Sequence, residues 1–84
     1  MVTFRYRPEV LEQLLLHGVR PTPTTSPEIV YDFVNDLYRY ELRRLRQALV
    51  TGRIPKAGYY VRVVELRRKY PLVSIKPDMW IEKV

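Results

Sequence analysis

The stretch SPEIVYDFVNDLYRYELRRLRQALVTG, Ser26 to Gly52, decides the fold, because it reads as one helix long enough to organise the rest of the chain. Ser26 suits the N-cap and puts Pro27 at the first helical position, while Thr25 with Glu28 forms a competing capping box one residue earlier. Either start lies within one residue of Ser26. Ile29, Val30, Phe33, Val34, Leu37, Tyr40, Leu45 and Ala48 then recur at helical spacing as a broad apolar stripe, until Gly52 stops the helix after Thr51. Glu28, Asp32 and Asp36 occupy its first half and the arginines its second, the arrangement that complements a helix dipole.

Working outward, the preceding segment VRPTPTTSPE holds three prolines, each removing a backbone donor and restricting the residue before it, so it reads as an extended connector. Before it, Pro8 at a first turn, acidic Glu9 and Glu12, and the spacing of Val10, Leu11, Leu14 and Leu15 predict a helix from Pro8 to His17, stopped by Gly18. The opening MVTFRYR alternates apolar and polar residues as a short half-buried strand does.

On the other side, YYVRVVELRRKY places Tyr59, Val63, Leu66 and Tyr70 at i, i+4, i+7 and i+11 before Pro71, which predicts a third helix. Its Tyr-Tyr-Val and Val-Val pairs favour strands, so a strand from Tyr59 to Leu66 stands as the alternative. The tail PLVSIKPDMWIEKV is too broken by proline for a helix and reads as one or two extended pieces, with Trp80 packing back onto the helices. The expected fold is mainly α: a compact three-helix domain with one long central helix. Its short extended termini form a two-stranded ribbon over one end if they pair.

The 84 residues make one domain, 1–84, large enough for a single modest core. There are no cysteines, so disulfides, thiolate nucleophiles and cysteine zinc sites are excluded together. No apolar run approaches the ~20 residues that cross a bilayer, and MVTFRYRPEV has no apolar signal segment; a soluble, cytoplasmic protein without a membrane partner is the expectation. Fifteen basic against nine acidic residues give a net charge of +6, which favours acidic partners. Eleven of the fifteen cations are arginine, an enrichment that nucleotide bias or adaptation to heat also produces.

Catalytic candidates are few: one histidine, two serines and three glycines, with no phosphate-cradling glycine loop. The chain therefore reads as a non-enzyme with no catalytic residue, cofactor or metal. His17, just before Gly18, suits a helix C-terminus, where an imidazolium favours the dipole. Asp32 and Asp36 lie one turn apart with no histidine to complete a metal site. Glu41 falls near the centre of the apolar stripe, where a carboxylate needs a partner; the choices are Arg44 one turn on, or a partner from the third helix or another subunit.

The basic residues carry more. At 100° per residue Arg39, Arg43 and Arg46 share one ridge, with Arg44 turned toward the apolar side. Arg39 and Arg46 start about 10 Å apart along the axis, a spacing that suits successive phosphates. Between Tyr38 and Tyr70 lie ten cations and only Glu41 and Glu65, a local balance of +8. Arg62, Arg67, Arg68 and Lys69 add to the field, although Glu65 is placed to pair with Lys69 at i+4. Tyr38 and Tyr60 are the candidates for exposed stacking or interface aromatics, while Tyr40 and Tyr59 are expected in the core. The function expected from this set is non-enzymatic binding of RNA or DNA backbone. The alternative is a homo-oligomer or adaptor that binds an acidic protein partner through a basic, tyrosine-rich interface.

Overall fold

A computed structural model of the chain describes residues 2–82. It contains three α-helices, α1 (Pro8–Leu16), α2 (Pro27–Val50) and α3 (Lys56–Lys69), followed by two 3-10 turns at Pro71–Ser74 and Pro77–Met79. The central helix starts as Ser26 and Pro27 require, with Ser26 extended at the N-cap and Pro27 at the first helical position. Thr25 does not build the capping box; its hydroxyl accepts from the Thr22 amide instead (3.0 Å).

Both glycine stops close in the same way. Gly18 (φ +73°) and Gly52 (φ +76°) are left-handed. The amide of Gly18 donates to Leu15 (2.9 Å) and that of Val19 to Leu14 (2.9 Å); Gly52 and Arg53 repeat this onto Leu49 (3.1 Å) and Ala48 (2.8 Å). These paired bonds satisfy carbonyls that the helix end would otherwise leave open. An added Cβ at Gly52 meets nothing within 4 Å, so the cost of Gly52→Ala is the left-handed backbone alone, about 1 kcal/mol. Gly58, inside α3 with only ordinary contact to the Pro55 ring at 3.5 Å, gives the opposite sign: Gly58→Ala is expected to stabilise by about 0.5 kcal/mol. Denaturant midpoints moving the same way in both variants would refute this account of the two glycines.

The buried residues Tyr6, Val10, Leu14, Val30, Val34, Leu66, Tyr70, Leu72 and Trp80 form one cluster. Val10 and Leu14 anchor α1, one turn apart on its inner face. Trp80 is fully buried; its indole N–H donates to the Ile75 carbonyl (3.1 Å), and the Tyr31 ring packs tilted at 5.7 Å. Tyr31 also donates from its hydroxyl to the Val73 carbonyl (3.0 Å), so one α2 residue fixes the tail twice. The packing-back expected of Trp80 is therefore what organises this end of the molecule.

Three expectations are settled or changed here. Residues 56–69 are helical and the strand alternative fails, because helical spacing lets Leu66 and Tyr70 enter the core with Tyr59 and Val63 half-buried in the same row. The tail forms 3-10 turns rather than extended pieces: Pro71 and Pro77 each occupy the first position of a turn, where a fixed φ and a missing N–H cost nothing. The end segments do meet, but among the described residues as a single antiparallel bridge between Tyr6 and Ile81 rather than a ribbon, with residues 1, 83 and 84 of the expected ribbon lying outside those described. The bonds beside it run from the Arg7 amide to Trp80 (2.9 Å) and from the Glu82 amide to Arg5 (2.8 Å).

The result is narrow in cross-section and drawn out along α2, with extents of 51 × 19 × 17 Å. The two 3-10 turns pack on the first half of α2, and Val10 and Leu14 of α1 share the buried cluster with its Val30 and Val34. Among the described residues the second half carries α3, folded back antiparallel through the link at 51–55.

Candidate functional site

Pairing one helix against α2's second half leaves two flanks, and the cations divide between them. On one flank Arg39, Arg43 and Arg46 from α2 surround Leu42, and Tyr59 from α3 closes a depression of about 290 Å³. All three arginines are exposed, and no carboxylate lines the depression. The Tyr60 ring meets Tyr59 edge-on at 6.1 Å.

The other flank is a larger groove of about 520 Å³ with mixed charge: Arg44, Arg53, Arg62 and Lys69 face Glu41 and Glu65 across Leu45, Ala48 and Leu66. Its centre is Glu41. Lys69 donates from Nζ to Glu41 Oε1 (3.1 Å), and the Tyr70 hydroxyl donates to Glu41 Oε2. The partner expected for this carboxylate thus comes from α3 rather than from Arg44, which lies 6.0 Å over the Tyr40 ring instead. Lys69 is correspondingly turned to Glu41 and not to Glu65.

Burial alone pushes the Glu41 carboxyl up, but the hydrogen bonds from Tyr70 and Lys69, with the Lys69 charge, outweigh it and hold the group below the usual carboxylate range. Tyr70 responds in reverse: burial first, then its bond to the Glu41 carboxylate, push the phenol up to about 12. A depressed Glu41 contributes stability above its unfolded-state value and loses it as pH falls through its folded value. A raised Tyr70 contributes stability below its unfolded value near 10 and loses it as pH climbs to about 12. Tyr70→Phe is therefore expected to flatten stability on both the acid and the alkaline side, measured as denaturant midpoint against pH. An unchanged alkaline limb would count against the Tyr70–Glu41 bond.

His17 sits at the C-cap of α1 as expected, but its backbone amide makes the cap. The imidazole stacks flat on Tyr70, centroids 4.3 Å apart and planes within 2°. Burial lowers its pKa, with the Lys69 backbone pulling the other way, so the neutral ring is favoured over the imidazolium that dipole capping would use.

The residues singled out in the sequence therefore do not form one surface. Arg39, Arg43 and Arg46 come together; Arg62 and Lys69 lie on the opposite flank of the α2–α3 pair. Arg67 and Arg68 are exposed. At 100° per residue Arg67 lies on the side of α3 away from Arg62 and Lys69, the side that turns toward the arginine depression. Arg68 points further out. Tyr60 is exposed as expected (62%), whereas Tyr38, expected to be exposed, is half-buried with its ring tilted against Tyr70 at 5.6 Å. Tyr40, expected in the core, is exposed (54%). Tyr59 is the aromatic that the sequence did not place beside the arginines. The available signal was its position at the head of the α3 apolar row, where a two-helix pair leaves a ring half open.

Among the described residues no group of three His, Asp or Glu side chains converges to hold a metal ion, and no helix is long and apolar enough to cross a membrane. No protein-family model, no curated protein and no solved structure matches the chain.

Proposed function

We propose that this chain is a non-enzymatic binding protein that contacts the phosphate backbone of RNA or DNA through Arg39, Arg43 and Arg46. The observation that carries the reading is the depression those three residues line with Leu42 and Tyr59, free of carboxylates. Each guanidinium is planar, permanently charged and weakly hydrated, which suits bidentate contact with phosphate oxygens. A span of about 10 Å along the helix axis lets the outer two reach successive phosphates. Tyr59 supplies a π-face at the rim on which a base or sugar can rest. Backbone contacts of this kind carry no sequence information, so the expected binding is sequence-tolerant.

Fluorescence anisotropy with labelled single- and double-stranded oligonucleotides tests the reading. Binding is expected at low salt, with log K against log salt falling at about −2.7 on a duplex and about −2.1 on a single strand for three neutralised phosphates. No binding at low salt, or affinity that ignores salt, overturns it.

A further inference from the structure

The longest helix has a face that none of the described residues covers. Ile29, Phe33, Asp36, Tyr40, Arg43, Gln47 and Val50 follow one another at steps of four and three residues in strict alternation, and every one of them is exposed. The apolar members are not marginal: Ile29 is 67% exposed, Phe33 53%, Tyr40 54% and Val50 74%. Such spacing keeps one stripe of a helix against another over its whole length, the seam of a two-helix coil. The same helix spends its other face on the core through Val30, Val34 and Leu45, so this seam is additional to what the fold needs.

Charge identifies the occupant. Between Pro27 and Tyr38, α2 carries Glu28, Asp32 and Asp36 and no cation; from Arg39 to Val50 it carries four arginines against Glu41 alone. A parallel copy of this helix would oppose acid with acid and arginine with arginine. An antiparallel copy opposes the acidic half with the basic half at both ends, and it does so by two-fold symmetry, with one patch serving both partners.

We propose that α2 pairs antiparallel with α2 of a second copy of this chain along the Ile29–Val50 seam, with Asp36 facing Arg43 and Ile29 facing Val50 across the axis. The two-fold passes between Arg39 and Tyr40, so the two Tyr40 rings meet near the centre, where a buried aromatic contributes most to an interface. The inference does not rest on nucleic-acid binding, but Arg43 belongs to both the seam and the depression, so a second copy and a polyanion compete for it. The variants that test the seam leave it in place.

Sedimentation over micromolar to millimolar protein at low salt is expected to show a monomer–dimer equilibrium that salt weakens. Phe33→Ala, at an exposed position, is expected to keep the helical circular dichroism and weaken the dimer about tenfold, the loss typical of truncating an interface anchor. Orientation is read separately, because the chain has no cysteine of its own. Ile29→Cys mixed with Val50→Cys is expected to give mixed disulfide dimers under mild oxidation. In a parallel pair those positions stand about 32 Å apart and Ile29→Cys would couple to itself. A monomer at millimolar concentration, a dimer indifferent to Phe33→Ala, self-coupling of Ile29→Cys, or open-ended assembly each overturns the proposal.

Discussion

Trp80→Ala is expected to abolish the cooperative unfolding transition or shift it by about 3–5 kcal/mol, the range for removing a fully buried aromatic. A chain of 84 residues holds only about 4–13 kcal/mol in total, so the variant sits at the edge of folding. The effect is large because the indole does three things at once. It fills the core, donates to Ile75 and supports the Tyr31 ring that binds Val73, so its removal frees both 3-10 turns together. Tail release also breaks the Tyr6–Ile81 bridge, since the Trp80 carbonyl accepts from Arg7 beside it. Far-UV circular dichroism against denaturant measures the loss, with Trp80→Phe as a milder comparison that keeps an apolar ring. A midpoint within experimental error of the unsubstituted chain would show that the tail is an accessory to the fold and not part of its core.

Replacing Arg39, Arg43 and Arg46 together with glutamate is expected to reduce low-salt affinity for an oligonucleotide by more than a hundredfold. The change takes the balance between Tyr38 and Tyr70 from +8 to +2 and puts three carboxylates where phosphates would lie. It should also flatten the salt dependence by about three, one for each lost phosphate contact. Stability should change little, because all three side chains are exposed. The informative comparison is Arg62→Glu with Arg68→Glu, which alters charge away from the depression. A general attraction to polyanions predicts similar losses per charge in both variants; a localised site predicts the larger loss per charge on the ridge. Equal losses per charge would therefore remove the ridge as a site even if binding itself were real.

The bounds of α2 were legible because Ser26–Pro27 and Gly52 act locally: each sets its own backbone geometry and needs no distant partner. The helical character of α3 was legible from its spacing, although burial, not propensity, decided it. What was not legible was which side of α2 is inside. The helix carries two apolar rows, one through Ile29, Phe33 and Tyr40 and another through Val30, Val34 and Leu45, and a helical wheel merges them into one broad stripe. Only the direction from which α3 and the tail arrive separates them, leaving the first row in solvent and burying much of the second. The exchange of roles between Tyr38 and Tyr40 follows from the same fact. Glu41 was recognisable as a carboxylate in need of a partner, but the partners stand 28 and 29 residues away at Lys69 and Tyr70, beyond any local spacing rule. In the tail, proline reads in the sequence as an interrupter of regular structure, whereas at the head of a short turn, where Pro71 and Pro77 stand, it is the favoured residue.

The 51 Å length of the molecule has a consequence for how it moves. Of the nine residues in the buried hydrophobic cluster, eight lie away from the closing turn at 51–55, in the end built from α1, the first half of α2, the tail and Tyr70; of the nine, only Leu66 reaches into the arm where α3 packs on α2. Structure held at one end and paired singly at the other frays like a hairpin, from Gly52 inward, without the whole chain unfolding. Amide exchange along α2 is accordingly expected to slow in a gradient from Val50 back to Val34. The arginine ridge then rides on the breathing portion of the helix, and any polyanion that engages Arg39 and Arg46 at once would act as a splint, slowing exchange in the arm while leaving the Trp80 end as it was.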